Sequence, residues 1–271
     1  MRLGLVHHSF GHKISAPEAM RAAHRLGAEV FAVGVADEAQ RDALGELNAD
    51  LGLELVSGWV DRYVENGDAQ STAAFADRLR RLFVPLGIKV VATHTSHHRW
   101  RRDPPLPEAL ERFAAALARL CPVAADHGVT IAVENHADLR ADDLLRVLER
   151  VNHPALGIQL DTGNPYAVAE EPVEAAWKLA PYTVATHIKD MTIRPLTDGE
   201  WAKVLGCPIG EGDVDLRRIA QILAERAPDP AQLAFTLEIE PPGGSDLEMA
   251  ERGVAWVRRE AGGWVREVRR S

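Results

Sequence analysis

Short apolar runs of strand length alternate with longer stretches of helical period along the whole chain, with no polar linker between them. Strands are predicted over residues 3–6, 29–35, 53–56 and 88–93, and four more end on Glu134, Asp161, His187 and Glu238. The runs leading to those four residues carry few polar side chains, as strands buried on both faces of a parallel sheet do. Helices are predicted over residues 16–26, 37–51, 72–86, 107–127, 142–151, 172–179, 216–226 and 247–268. Ser15 followed by Glu18 gives the first a capping box, Gly52, Gly87 and Gly128 stop three others, and Asp215 is the N-cap before residue 216. Eight strand and helix pairs in succession predict an α/β fold, a (β/α)8 TIM barrel with residues 1–271 as a single domain.

Two stretches break the rhythm. Residues 59–69 and 192–212 have no period and follow the third and seventh strands. They are expected as loops, plain or lid-like, on the face where barrels build their sites.

The strand ends carry the candidate chemistry. Positions 134, 161, 187 and 238 are separated by 27, 26 and 51 residues, and a last interval near twice the first is what one repeating strand-plus-helix module produces. Each of these side chains taken alone reads as a cap or a surface charge. Together at one rim they would be costly to bury unpaired, and a shared cation offsets that cost for all four. Three carboxylates and one imidazole suit one divalent metal ion: the oxygens favour Mn or Mg, while the imidazole also accepts Co, Ni or Zn. Strand parity adds neighbours. Lys189 shares a face with His187, His136 with Glu134, and Glu240 with Glu238. Glu240 is the rival for the fourth ligand position, and the Pro241–Pro242 pair directly after it marks chain exit and favours Glu238. His7 or His8, after the first strand, and His94, His97 and His98, after the fourth, read as packed or solvated residues or as groups touching a substrate, with His94 and His8 the candidates carried forward.

Composition narrows the partners. With 46% hydrophobic and 26% charged residues the chain can bury a sizeable core. A net charge of −9 and a pI near 5.7 oppose attraction to nucleic acid or anionic membranes, so a small molecule is the expected partner. Cys121 and Cys207 make neither a disulfide framework nor a zinc ribbon, which fits a reducing, cytoplasmic setting. The first apolar run breaks at His7, and no stretch approaches about 18 apolar residues, so neither export nor a membrane span is expected. Gly210-Glu211-Gly212 lacks the P-loop lysine and reads as loop geometry before Asp215. Arg258, Arg259, Arg266, Arg269 and Arg270 form a solvated helix face or a contact with a second copy or partner subunit.

Val133-Glu134-Asn135-His136, Leu160-Asp161-Thr162-Gly163-Asn164, His187-Ile188-Lys189-Asp190 and Thr236-Leu237-Glu238 together resemble the motifs of the xylose isomerase-like TIM barrel superfamily of sugar isomerases and epimerases. Gly210 to Asp215 before a helix extends the resemblance over nearly the whole chain. It implies a single divalent ion on Glu134, Asp161, His187 and Glu238, with a sugar or sugar derivative completing the coordination. It also implies that Glu134 and Glu238 act as base and acid on opposite sides of a sugar carbon beside a carbonyl, through a metal-stabilised enediolate. Lys189 is then expected to hold a substrate oxygen or act as an acid. Trp59, Trp100 and Trp201 read as ordinary packing or as cover for a sugar ring.

One position departs from the pattern. Many epimerases of the superfamily carry a histidine three residues after the metal-binding aspartate, where this chain has Asn164, an amide that orients a hydroxyl but does not readily shuttle a proton. The alternative is a lyase or dehydratase on the same barrel, such as inosose dehydratase or the deglycosidases that act on 3-keto glycosides, since that chemistry begins with the same proton abstraction. A nuclease resembling endonuclease IV and a non-catalytic sugar-binding subunit are the remaining readings.

Overall fold

The buried strands pair in parallel because each is followed by a helix that carries the chain back to the same end of the sheet. The computed structural model describes residues 1–11, 13–56, 60, 63–64, 68–95, 99–100, 103–195 and 202–266. In chain order the strands and helices are β1 (Arg2–Val6), α1 (Ala16–Arg25), β2 (Val30–Ala32), α2 (Glu38–Leu51), β3 (Glu54–Val56), α3 (Ala69–Arg78), β4 (Val90–Thr93), α4 (Leu106–Asp126) and β5 (Thr130–Glu134). There follow α5 (Ala141–Val151), β6 (Leu156–Asp161), α6 (Pro172–Leu179), β7 (Thr183–His187), β8 (Asp190–Pro195), β9 (Ala202–Cys207), α7 (Leu216–Arg226), β10 (Ala234–Leu237) and α8 (Leu247–Trp256). The helices begin where the sequence has caps. Ser15 and Glu18 form the expected capping box, and Asp215 accepts the Arg218 N–H at 2.9 Å.

Two parallel ladders, β10-β1-β2-β3 and β4-β5-β6-β7, form the barrel wall. They meet on one side through Ile188, whose N–H donates to Thr236 O at 2.7 Å and whose carbonyl accepts from Glu238 N at 3.0 Å. On the other side, between β3 and β4, Val60 N–H donates to Ala92 O at 3.0 Å. Leu3, Leu5, Val91, Ile131, Ile158 and Leu160 are buried in the layer beneath the helices. The lumen is lined by smaller or polar side chains, among them Ala32, Gln159, Ala185 and Thr236. Arg2 and Glu54 pair at 2.6 Å on the wall of the same cavity.

At the C-terminal lip, side chains extend the backbone ladder. Asn135 joins β5 to β6, donating to Asp161 O and accepting from Asp161 N, both at 2.8 Å. Thr162 Oγ1 accepts from Lys189 N at 2.8 Å and donates to Lys189 O at 2.7 Å. Thr186 Oγ1 links β7 to Ala234 O and Thr236 N, and Ser9 Oγ links the end of β1 to Leu237 O and Ile239 N.

The structure corrects one expectation. Residues 192–212 are not a plain loop: β8 and β9 pair as an antiparallel hairpin from Asp190↔Cys207 to Pro195↔Ala202. Its outer half is exposed, so its strands lack the continuous apolar runs that mark the barrel strands. The third predicted helix is present to its expected end but begins earlier, at Ala69, and α3 passes at Leu79 into a π turn and then a 3-10 turn that ends at Leu86.

Candidate metal centre

The lip of β5, β6, β7 and β10 gathers Glu134, Asp161, His187 and Glu238 so that one donor atom of each lies within 4.8 Å of the others, and all four are buried. His187 is central. Its Nδ1 lies 2.9 Å from Glu238 Oε2 and 3.4 Å from Glu134 Oε1. Glu134 is oriented by two amides: Gln159 Nε2 donates to Oε2 at 2.9 Å and Asn164 Nδ2 to Oε1 at 3.2 Å. Asp161 Oδ1 accepts the backbone N–H groups of Gly163 and Asn164 at 2.8 and 2.9 Å, which leaves Oδ2 facing the cluster. Glu238 Oε1 bonds His8 Nε2 at 2.9 Å. Lys189 Nζ stands 3.3 Å from Asp161 Oδ2 and 3.1 Å from Glu238 Oε2.

Asp161 Oδ2 and Glu238 Oε2 are buried and accept no hydrogen bond. Their close neighbours are cations: Lys189 Nζ stands 3.3 and 3.1 Å from them, and His187 Nδ1 is 2.9 Å from Glu238 Oε2. Such oxygens are costly to bury. A divalent cation would satisfy them, and this donor set of three carboxylates and one imidazole fits one.

The charges reflect the crowding. Burial lifts the Asp161 carboxyl from 3.8 to about 7, with Lys189 pulling it back down. Burial also disfavours charge on Glu238, but His187 and Lys189 outweigh it and hold Glu238 well below its usual range. For His187 and Lys189 the surrounding carboxylates overcome burial and raise both pKa values.

Lys189, Asn164 and His8 contact the cluster residues directly, and His136 follows Glu134 on the loop after β5. His94 and His136 stack with ring centroids 4.5 Å apart, and burial lowers the His136 pKa and so favours its neutral form. Glu240 Oε2 lies 3.0 Å from Lys189 Nζ, outside the four-residue cluster. His7 turns away, its Nε2 bonding Ile14 O at 3.0 Å. Trp100 is exposed, with its indole N–H on Ala167 O at 3.2 Å. His97, His98, Trp59, Trp201, Arg269 and Arg270 lie outside the described residues.

Sequence reasoning missed two residues. Gln159 is polar within a buried run and two residues before Asp161, so parity alone would have placed it in the site. Asp190 accepts the N–H groups of Gly210, Gly212, Met191 and Val214 at 2.8, 3.0, 3.0 and 3.4 Å. It thereby anchors the glycine-rich loop before α7 beside the site.

The model of the xylose isomerase-like TIM barrel family matches residues 20–260. The chain belongs to that family. It is 26% identical to the uncharacterized protein YihM of Escherichia coli over 218 residues, 80% of this chain and 62% of YihM, so it spans about three fifths of that relative's length. It is 27% identical to the 3-oxo-isoapionate decarboxylase of Pectobacterium atrosepticum over 204 residues, 73% of this chain and 68% of that one. Among solved structures, L-ribulose 3-epimerase superposes with a TM-score of 0.75 at 18% identity, covering 97% of this chain and 95% of the other. That likeness shows the fold. In the described residues no helix is long and apolar enough to cross a membrane.

Proposed function

We propose that residues 1–271 act as one cytoplasmic enzyme on a small sugar or sugar derivative, isomerising or epimerising it by moving a proton next to a carbonyl. In this reading Glu134, Asp161, His187 and Glu238 hold one divalent ion, Mn or Mg by the chemistry of the donors. The observation that carries it is the pair of buried carboxylate oxygens, Asp161 Oδ2 and Glu238 Oε2, which accept no hydrogen bond inside a four-donor cluster. The ion supplies Lewis acidity, which makes a proton α to a carbonyl removable. Glu134 takes that proton, its carboxylate held in one orientation by Gln159 and Asn164. Glu238, braced by His8, is the group that returns a proton from the other flank. Lys189, His94 and His136 line the approach and hold substrate oxygens.

A second reading, a lyase, is favoured by one observation. Asn164 stands where a proton-shuttling histidine stands in many epimerases, and its amide is committed to Glu134. With no shuttle there, expulsion of a neighbouring group competes with return of the proton, and a decarboxylase is among the relatives. Incubating the Mn-loaded protein with a ketose panel and with a 3-keto glycoside separates the two: isomerised sugar supports the first, released aglycone the second. Glu134→Gln lowers the turnover of whichever reaction is found by on the order of 10²–10⁴ while leaving the fold intact. A protein that carries no stoichiometric divalent ion, and a Glu134→Gln variant indistinguishable from wild type, would instead mark a non-catalytic sugar-binding subunit.

A further inference from the structure

The Lys189 ammonium touches three carboxylates, and two of them belong to the cluster. Its Nζ is 3.3 Å from Asp161 Oδ2, 3.1 Å from Glu238 Oε2 and 3.0 Å from Glu240 Oε2. The first two are the oxygens that accept no hydrogen bond, and the third is on a half-exposed side chain at the edge of the site. The Lys189 backbone is fixed, since its N–H and its carbonyl both bond Thr162 Oγ1. Only the four-carbon stem is left to move, and it carries a buried charge among buried anions.

We infer that Lys189 is a positioning residue that sets how tightly the centre holds its divalent ion, with Glu240 as the counter-anion that draws the ammonium aside. The inference rests on the reading that Glu134, Asp161, His187 and Glu238 bind that ion. Two cations that share carboxylates in a buried site repel each other strongly. A divalent ion approaches an oxygen to about 2.0–2.6 Å, closer than any of the ammonium contacts, so the ammonium is the one that yields. Glu240 already touches the ammonium, so the movement needed is a turn of the stem. The ion is held more loosely than four ligands alone would hold it, and it exchanges.

Calorimetric titration with Mn²⁺ of wild type, Lys189→Met, Lys189→Arg, Glu240→Gln and the double variant Lys189→Met/Glu240→Gln tests this. Lys189→Met binds about tenfold or more tightly, because one competing charge is gone. Lys189→Arg, which keeps the charge, stays close to wild type. Glu240→Gln binds several-fold more weakly, and that loss disappears in the double variant, where no ammonium needs a partner. Mn²⁺-induced shifts in melting temperature on the same samples report folding and follow the same order, with Lys189→Gln replacing Lys189→Met if the latter does not fold. Affinity in Lys189→Met no higher than in wild type, or a Glu240→Gln loss that persists in the double variant, overturns the inference and leaves the metal centre standing. Failure of every protein in the series to bind Mn²⁺ overturns both.

Discussion

At the scale of single residues, Gln159 shows how much of the site depends on groups that do not themselves offer a charge. Its amide donates to Glu134 Oε2 and lies 3.3 and 3.4 Å from the two ring nitrogens of His187, so it touches two of the four cluster residues. Gln159→Leu keeps the volume and removes the donor. A buried carboxylate oxygen then loses its partner, at a cost of about 1–3 kcal/mol. Urea denaturation in EDTA measures that loss, and Mn²⁺ titration should show weaker binding because Glu134 is free to turn. An unchanged denaturation midpoint would remove Gln159 from this role. Glu134, Asp161, His187 and Glu238 were legible in the sequence because each ends an apolar run. Gln159 was not, because an amide inside an apolar run offers no charge to single it out, although its parity with Asp161 puts it on the same face.

The element least legible in the sequence is the β8–β9 hairpin, which packs against the strand end that carries Glu238 and Glu240. Gly206 in β9 is where it does so: a Cβ built there would lie 2.1 Å from Glu240 O and 2.8 Å from its carbon, both rigid backbone atoms. Gly206→Ala therefore forces the hairpin away from the lip, a change expected to cost about 1–3 kcal/mol. Gly34→Ala is the control, since an added Cβ at Gly34 meets nothing within 4 Å. Thermal denaturation of the two variants should separate them, with Gly206→Ala melting lower. Equal midpoints would mean that hairpin and lip are not tightly packed. The eight barrel strands could be read because burial on both faces writes a continuous apolar run into each. The hairpin strands are half solvated, and their alternation is too short to stand out from a loop.

The whole molecule responds to pH through groups beyond the metal centre. Asp138 is buried between Thr95 and Leu139, whose N–H groups it accepts at 2.9 and 2.7 Å, and burial lifts its carboxyl from 3.8 to about 6. Between those values the folded chain holds the proton more tightly than the unfolded chain does. The Asp138 contribution is therefore most favourable below the lower value, falls as pH rises through about 6, and is level above it. From about pH 4.5 to about pH 7 the loss is about 2 kcal/mol. Asp138→Asn abolishes it, so its stability should fall less than that of wild type over that interval; parallel curves would assign the pH response to other groups. The eightfold plan was visible in the succession of predicted strands and helices, but the way the ring closes was not, because closure depends on single hydrogen bonds. The side-chain rungs of Asn135, Thr162, Thr186 and Ser9 all lie between strands from β5 through β6, β7 and β10 to β1. On the opposite side, in the described residues, Val60 and Ala92 bridge β3 and β4. Among the described residues these side-chain rungs run along the arc that carries the charged cluster. Hydrogen exchange should find the amides of Asp161, Lys189, Thr236 and Ile239, each bonded to one of these side chains, in the slowly exchanging class, and fast exchange at all four would show that the rungs do not hold the lip. A ring laced by side chains along the arc that carries its charged cluster can keep its donors at their mutual distances when a visitor arrives.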